Sequence, residues 1–241
     1  MEKIKFKTYH KKILSDKLTP VSIYLKLRDK FANSLLLESS DYDVNNKNFS
    51  YICCDAIASI SVKDGKITYT YPGQKKITTK IKKNESLPNI IKNFSKKFDY
   101  KHKKYNFITN GLFGYIAHEA VSHFEDLDLD KNKEDLEIPE LYYAVYKYII
   151  SVSLFNHEAH IFCHSTNNKN DIEIIDKLLK QDVPINYNFS KKGEKNSNFT
   201  DKEFTNLVKK GKNHCFRGDV FQIVLSRRFS QRFYGDEFNV Y

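Results

Sequence analysis

Glycine, proline and tryptophan are scarce in this sequence. Its 241 residues include eight glycines, five prolines and no tryptophan, and this composition excludes collagen-like and low-complexity chains. Gly111 and Gly114 stand among large aromatic residues but lack the further glycines or the Gly-Lys-Ser/Thr ending of a phosphate-binding loop. Since glycine inside an apolar run usually marks close backbone approach, we expect such a contact here.

Long hydrophobic runs and export signals are also missing. The longest apolar run, residues 141–155, is interrupted by Lys147 and is too short to span a bilayer. Residues 1–12 are charged throughout and contain neither the apolar core nor the cleavage site of a signal peptide. We therefore predict a cytoplasmic globular protein with no membrane partner.

Only four cysteines occur, and none forms a Cys-x-x-Cys pair. This spacing argues against a disulfide framework and against a zinc site. Cys53, Cys54, Cys163 and Cys215 all lie among apolar residues. We predict that all four are buried, reduced thiols.

Two groups of histidines resemble metal sites only in composition. His118 and His123 flank Glu119 but are five residues apart, which takes them off the common helical face that a zinc protease motif requires. The histidines and cysteine between residues 157 and 164 alternate between the two faces of a predicted strand. We therefore predict no metal ligands in this chain.

Positive charge exceeds negative charge, with 40 Lys and Arg against 30 Asp and Glu. A basic balance is typical of nucleic-acid binding. Here the lysines are scattered through turns and solvated faces and are not gathered with aromatic residues into one stripe. We predict no nucleic-acid partner.

Hydrophobic periodicity predicts an α+β fold of mostly antiparallel sheets with flanking helices. We expect the chain to begin with a helix at residues 21–31. Two further helices are predicted at residues 86–98 and 171–179. Strand-forming residues dominate the segments 34–40, 49–62, 66–72, 77–81, 138–155 and 159–165.

A polar stretch without apolar periodicity, residues 183–199, predicts a linker between a domain of residues 1–182 and a second domain of residues 200–241. Thr200 and Glu203 have the spacing of a helical capping box. The helix that follows is predicted to bury Phe204, Leu207, Val208, Gly211 and Cys215, and to end at Gly218.

The next predicted strand, residues 220–225, contains one polar side chain, Gln222. An unpaired amide costs roughly 2–7 kcal/mol in an apolar environment, so Gln222 is either functional or satisfied locally. Because one helix and one strand cannot bury a core, we expect residues 200–241 to be the front part of a longer domain.

Five segments occur in an order and spacing that resemble the large subunit, component I, of anthranilate synthase. The segment GDVFQIVLSRRFS is typical of chorismate-using enzymes, and SLLLESSD with LTPVSIYLKLRD indicates the tryptophan-pathway member. The other two segments are NGLFGYIAHEAVSHFEDL and IPELYYAVYKYI. The resemblance covers nearly the whole chain.

The resemblance implies conversion of chorismate and ammonia to anthranilate and pyruvate, with Mg²⁺ on the substrate and a glutamine amidotransferase subunit as the source of ammonia. It assigns Gln222 to the chorismate site. Related isochorismate-forming enzymes carry a lysine there, which can activate water as a general base. A neutral amide can only position an incoming amine, so glutamine favours ammonia.

The resemblance also places L-tryptophan, as feedback inhibitor, at Leu37, Glu38 and Ser39. Taken from the residues alone, a carboxylate and a hydroxyl at a strand end either bind an ammonium group or simply enter a polar loop. Many family members carry a basic residue before a nearby Phe/Tyr-Ser pair, where this chain has Asn48 before Phe49 and Ser50. This difference weakens the expectation that tryptophan acts as a feedback inhibitor here.

The chain has about half the family's usual length, and segments resembling PIAGTRPRG, LVDLGRNDLGR and GAPK are absent. These hold chorismate and the magnesium ligands, which we therefore expect beyond Tyr241. The chain is interpreted as the amino-terminal regulatory domain plus the first helix and strand of the chorismate-binding domain, inactive by itself. The alternatives are aminodeoxychorismate synthase component I and a non-catalytic amino-acid-binding module.

Overall fold

The computed structural model describes residues 3–38, 48–82, 85–101, 105–125, 138–182 and 188–241. The chain divides into two compact units, Met1–Val183 and Pro184–Tyr241. In the described ranges, no helix is both long enough and apolar enough to cross a membrane.

The first unit is built on one large sheet, with the strand order β5-β4-β3-β8-β9-β1-β6, and with β2 paired to β3 and β7 paired to β8. Every pairing is antiparallel except that of β1 with β6. The strands are β1 Ile4–Leu14, β2 Leu35–Leu37, β3 Phe49–Lys63, β4 Lys66–Thr70, β5 Ile77–Lys80, β6 Phe98–Lys101, β7 Phe113–Ile116, β8 Leu141–Ser153 and β9 Glu158–Ser165. The helices are α1 Pro20–Arg28, α2 Leu87–Ser95 and α3 Ile172–Lys180. The predicted α+β class with mostly antiparallel sheet is confirmed.

Three clusters of buried side chains hold these elements together. α1 and α3 place Ile23, Leu27 and Ile175 against one part of the sheet. α2 covers another part with Leu87, Ile90 and Phe94. A third cluster joins Cys53, Phe113, Tyr146 and Phe162. Burying one large apolar side chain contributes about 1.5–3 kcal/mol, so the sheet is stabilised from several sides.

β1 corrects the expectation that the chain begins with a helix. The sequence of β1, IKFKTYHKKIL, mixes apolar residues with lysines. The strand lies between β9 and β6 in the sheet. The lysines make the strand hard to recognise from the sequence, because the carboxylates that pair with them lie in distant parts of the chain. Lys11, for example, contacts Glu173 and Asp176 on α3, at 2.9 and 3.1 Å.

Gly114 on β7 makes the close backbone approach predicted from the sequence. It pairs with Tyr143 of β8. A Cβ atom at this position would lie 1.9 Å from the backbone oxygen of Tyr142, a distance that neither strand can accommodate without moving. Glycine is therefore required where β7 joins the sheet.

We expect Gly114→Ala to lower the free energy of unfolding by at least about 2 kcal/mol, because the new methyl group overlaps backbone. Gly73→Ala is the matched control. Gly73 has φ +67° and open space around its Cα, so only left-handed strain of about 1 kcal/mol is expected. Urea denaturation measures both, and equal losses would contradict the steric account.

Two aspartates dock α3 through ion pairs. Asp171, at the start of α3, lies 2.7 Å from Lys147 of β8, and the hydrogen bond to Lys147 lowers the pKa of the Asp171 carboxyl. Although burial opposes it, the hydrogen bonds to Asp171 and Tyr148 raise the pKa of Lys147. Asp176 contacts Lys180 at 2.7 Å as well as Lys11, and these lysines lower its pKa.

These lowered pKa values make α3 docking sensitive to acid. The stability that the two aspartates contribute is complete above about pH 4, the ordinary aspartate pKa, and is lost as pH falls through the lower pKa of the folded state. Asp171→Asn should cost about 1–3 kcal/mol at pH 7 and flatten the loss of stability below pH 4. Chemical denaturation at several pH values tests this, with Asp64→Asn in the exposed β3–β4 turn as control. An unchanged slope in Asp171→Asn would be evidence against the ion pair.

The second unit contains β10 Phe189–Ser197, α4 Asp201–Arg217 and β11 Phe229–Gly235, with β10 and β11 antiparallel. The predicted linker at 183–199 is wrong in part, because residues 189–197 form β10. Residues 183–187 lie outside the described residues. α4 begins with the predicted capping box, in which Glu203 N donates to Thr200 Oγ1 at 3.3 Å and Thr200 N donates to Glu203 Oε2 at 2.8 Å.

Two further predictions for this unit are wrong. The predicted strand at residues 220–225 is absent, since a strand needs a hydrogen-bonded neighbour and, in the described residues after α4, β10 provides one only for 229–235. Of the five residues predicted to be buried by α4, Gly211 is buried, whereas Val208 and Cys215 are exposed. The other three cysteines are buried free thiols, as predicted.

Candidate functional site

The predicted tryptophan site lies where β2 ends beside the start of β3. Leu37, the last residue of β2, pairs with Tyr51. Continuing this register by one residue places Glu38 opposite Ser50. Leu37 and Glu38 are both exposed, and Ser39 lies outside the described residues.

α1 determines where β2 begins. A capping box between Thr19 and Ser22 starts the helix, and Leu27 is fully buried in the core. After the helix, Asn33 adopts a left-handed conformation with φ 57°, and its carbonyl accepts a hydrogen bond from the Tyr146 hydroxyl at 2.9 Å. The turn between α1 and β2 is therefore tied to the centre of the sheet.

Ser50 is the residue that sequence reasoning missed as part of this site. It is fully buried, with 0% exposure, on β3 opposite Val152 of β8. Within the described residues its Oγ has no hydrogen-bond partner. A buried hydroxyl left unsatisfied costs about 1–3 kcal/mol, so this group is poised to accept or donate a hydrogen bond.

The residues on either side of Ser50, Phe49 and Tyr51, contact a segment on the face of the sheet opposite to the Ser50 side chain. We call residues 105–110 the cover segment. Phe107 stacks on Phe49 with ring centroids 4.6 Å apart, and Ile108 N donates to the Tyr51 hydroxyl at 3.2 Å. Burial raises the pKa of Tyr51 despite that hydrogen bond, so this hydroxyl stays protonated.

The chemistry of Glu38 and Ser50 suits a small zwitterionic ligand. A carboxylate accepts charge-assisted hydrogen bonds from an ammonium group, and a serine hydroxyl can donate to a carboxylate. Leu37 is also exposed, but because side chains alternate along a strand it lies with its partner Tyr51 on the opposite face of the sheet from Ser50. The amino-acid site at the Leu-Glu-Ser motif stays a prediction.

Gln222 belongs to the second unit, not to this site. Its side chain is exposed. It lies in the stretch 220–228, which lacks strand structure.

The described residues contain no group of three or more His, Cys, Asp or Glu side chains that could hold a metal ion. His123 instead forms an ion pair with Glu140 at the start of β8.

Comparisons with known proteins decide the family. The model of the family described as chorismate binding enzyme matches residues 38–241. The chain belongs to this family. The match begins at the predicted tryptophan site and includes Gln222, so it crosses the boundary between the two units.

Relatives confirm the resemblance to anthranilate synthase component I. Anthranilate synthase component 1 of Aquifex aeolicus is 29% identical over 252 residues, which cover 95% of this chain and 48% of the relative. The protein of the same name from Lactococcus lactis is 24% identical, covering 96% of this chain and 50% of the relative. The chain thus spans about half the length of these curated relatives.

A solved structure shows the same fold. The crystal structure of anthranilate synthase component I from Streptococcus pneumoniae aligns with a TM-score of 0.56 and 17% identity, covering 94% of this chain and 50% of that one. At this identity the likeness concerns the fold alone.

The unsatisfied hydroxyl of Ser50 leads to a stability prediction. We expect Ser50→Ala not to lower the free energy of unfolding, and to raise it by up to about 1–3 kcal/mol, because it removes an unsatisfied buried hydroxyl and loses no hydrogen bond. Ser151→Ala should cost about 1–2 kcal/mol, because the equally buried Ser151 Oγ donates to the carbonyl of Ile108 at 3.1 Å. Urea denaturation of both variants measures the difference, and a larger loss in Ser50→Ala would show that Ser50 already has a partner.

Proposed function

We propose that this chain is part of an anthranilate synthase component I and contributes to the conversion of chorismate and ammonia to anthranilate and pyruvate. The observation that carries the proposal is the family match over residues 38–241. Relatives named anthranilate synthase align over nearly the whole chain, and they favour this function over the aminodeoxychorismate branch. The reaction eliminates pyruvate, so the enzyme class is a lyase.

Within that reaction we assign Gln222 to the positioning of ammonia. Its amide oxygen can accept a hydrogen bond from ammonia, and its neutral side chain cannot remove a proton from water as a lysine base does. Mg²⁺ and a glutamine amidotransferase subunit complete the proposed system. Because Gln222 is exposed in the second unit, we expect no turnover from the 241 residues alone.

An anthranilate fluorescence assay with chorismate, ammonium and Mg²⁺ tests this expectation. The 241-residue chain should give no signal above a reaction without protein, because chorismate needs an enclosed site to be aligned with ammonia. A full-length component I serves as the positive control. Appreciable turnover by this chain would overturn the proposed inactivity but would support the proposed reaction.

For regulation, we propose that L-tryptophan binds at Leu37, Glu38 and Ser39 as a feedback inhibitor. Glu38 would accept hydrogen bonds from the ligand's ammonium group, and Leu37, which precedes it on β2, would hold the strand end against β3. The buried Ser50 hydroxyl supports the proposal, since a ligand carboxylate would give it the partner it lacks. The Asn48 position, where many relatives carry a basic residue, is expected to weaken binding.

Calorimetric titration with L-tryptophan tests the site. We expect binding to the unmodified chain and at least a roughly tenfold weaker affinity in Glu38→Ala, since a charge-assisted hydrogen bond contributes about 1.5–3 kcal/mol. Glu119→Ala, an exposed carboxylate on the turn at residues 118–123, is the matched control and should bind as the unmodified chain does. Unchanged affinity in Glu38→Ala would refute the assignment of Glu38.

A further inference from the structure

Two histidines and a tyrosine form a hydrogen-bonded chain on the face of the sheet that carries the cover segment. His10 Nε2 on β1 lies 3.0 Å from His160 Nδ1 on β9. The Tyr105 hydroxyl lies 3.1 Å from His10 Nδ1. The two imidazole rings are stacked, with an interplanar angle of 12°. Three separate elements thus meet at one pair of rings.

The rings also form much of the surface on which the cover segment lies. Tyr105 contacts His10 with ring centroids 5.2 Å apart, and Phe107 contacts His160 at 4.8 Å. Further along, His164 Nε2 donates to the carbonyl of Thr109 at 2.9 Å. The cover segment is therefore bound to the sheet by histidine contacts at both ends.

Only one hydrogen atom can lie between His10 Nε2 and His160 Nδ1. At 3.0 Å, one nitrogen must donate and the other must accept, because two N–H groups cannot point at each other. Two neutral rings meet this condition, and so does a pair carrying one extra proton. A doubly protonated pair cannot, and its two positive charges also repel each other.

The charged groups around the pair favour the neutral rings. Lys12, on the same strand as His10, and Glu158, on the same strand as His160, form their own ion pair at 2.6 Å. Glu158 Oε2 is 4.0 Å from His160 Nε2. Burial, followed by the charge of Lys12, lowers the pKa of His160, although Glu158 opposes this. Tyr105 is the titratable group that faces the pair from the cover segment.

We propose that the His10–His160 pair is a proton-sensitive latch that holds the cover segment on the sheet and releases it when both rings are protonated. The closed latch takes up a second proton less readily than free imidazole does, because two N–H groups would then face each other across 3.0 Å, so acidification favours the open state. The latch is therefore closed at neutral pH and opens as pH falls below the ordinary histidine range.

The latch has a consequence for the predicted tryptophan site. The cover segment contacts β3 on both sides of Ser50, through Phe107 on Phe49 and through the backbone of Ile108 on Tyr51. Opening the latch removes these contacts and frees the start of β3. This consequence rests on the proposed function, whereas the latch itself does not.

Hydrogen exchange of the intact chain tests the latch without any ligand. Protection factors, which remove the intrinsic effect of pH, should fall roughly tenfold for amides of residues 105–110 between pH 7.5 and 5, because local opening then becomes easier. His10→Phe keeps an aromatic ring at this position but cannot share a proton. In that variant the protection of residues 105–110 should be independent of pH.

His118→Gln, which removes an exposed histidine outside the pair, is the control and should behave as the unmodified chain does. A pH-independent protection of the unmodified chain would overturn the proposal, and so would an unchanged pH response in His10→Phe. If His10→Phe fails to fold, NMR titration of the histidine rings in the unmodified chain decides. Coupled titration of His10 and His160 supports the latch, and independent titration at the ordinary imidazole pKa overturns it.

Discussion

The antiparallel pairing of β3 with β8 is the interaction on which the rest of the first unit depends. The two strands pair from Phe49 opposite Ser153 to Val62 opposite Leu141, and each shares its other edge between two partners. β3 pairs with β2 near its start and with β4 near its end, whereas β8 pairs with β7 near its start and with β9 near its end. The start of β3 thus also anchors the end of β2, where Leu37 pairs with Tyr51.

Two polar residues inside this sheet are tolerated because each has a partner on another element. Lys147 interrupts an otherwise apolar strand but is paired with Asp171 of α3. His164 is fully buried and donates to a backbone carbonyl of the cover segment. A buried polar group without such a partner is costly. Ser50 Oγ has none among the described residues, and this contrast makes it informative about ligand binding.

Sequence reasoning succeeded where local pattern alone determines the structure. The strands β3, β4, β8 and β9 and the α4 capping box all carry strong local signals, and all are present. Sequence reasoning failed where the structure of a segment depends on residues that are distant in the sequence. β1 is a strand because β9 and β6 flank it, and its lysines hide the pattern. The burial of Ser50, and the lack of a hydrogen-bond partner for its hydroxyl among the described residues, depend on the neighbouring strands. No local motif reveals them.

The two predicted sites differ in how completely their surroundings are formed. Glu38 adjoins a folded core, whereas Gln222 lies between Phe221, 102% exposed, and Ile223, with Val224 83% exposed nearby. An amide in bulk solvent cannot favour ammonia over water, since water at high concentration competes for the same hydrogen bond and the high dielectric weakens it. Selection of ammonia therefore requires that Gln222 be enclosed. Exposed apolar side chains of this kind mark a surface that other groups normally bury. Burying Phe221 and Val224 would also remove water from around Gln222, as its proposed role needs.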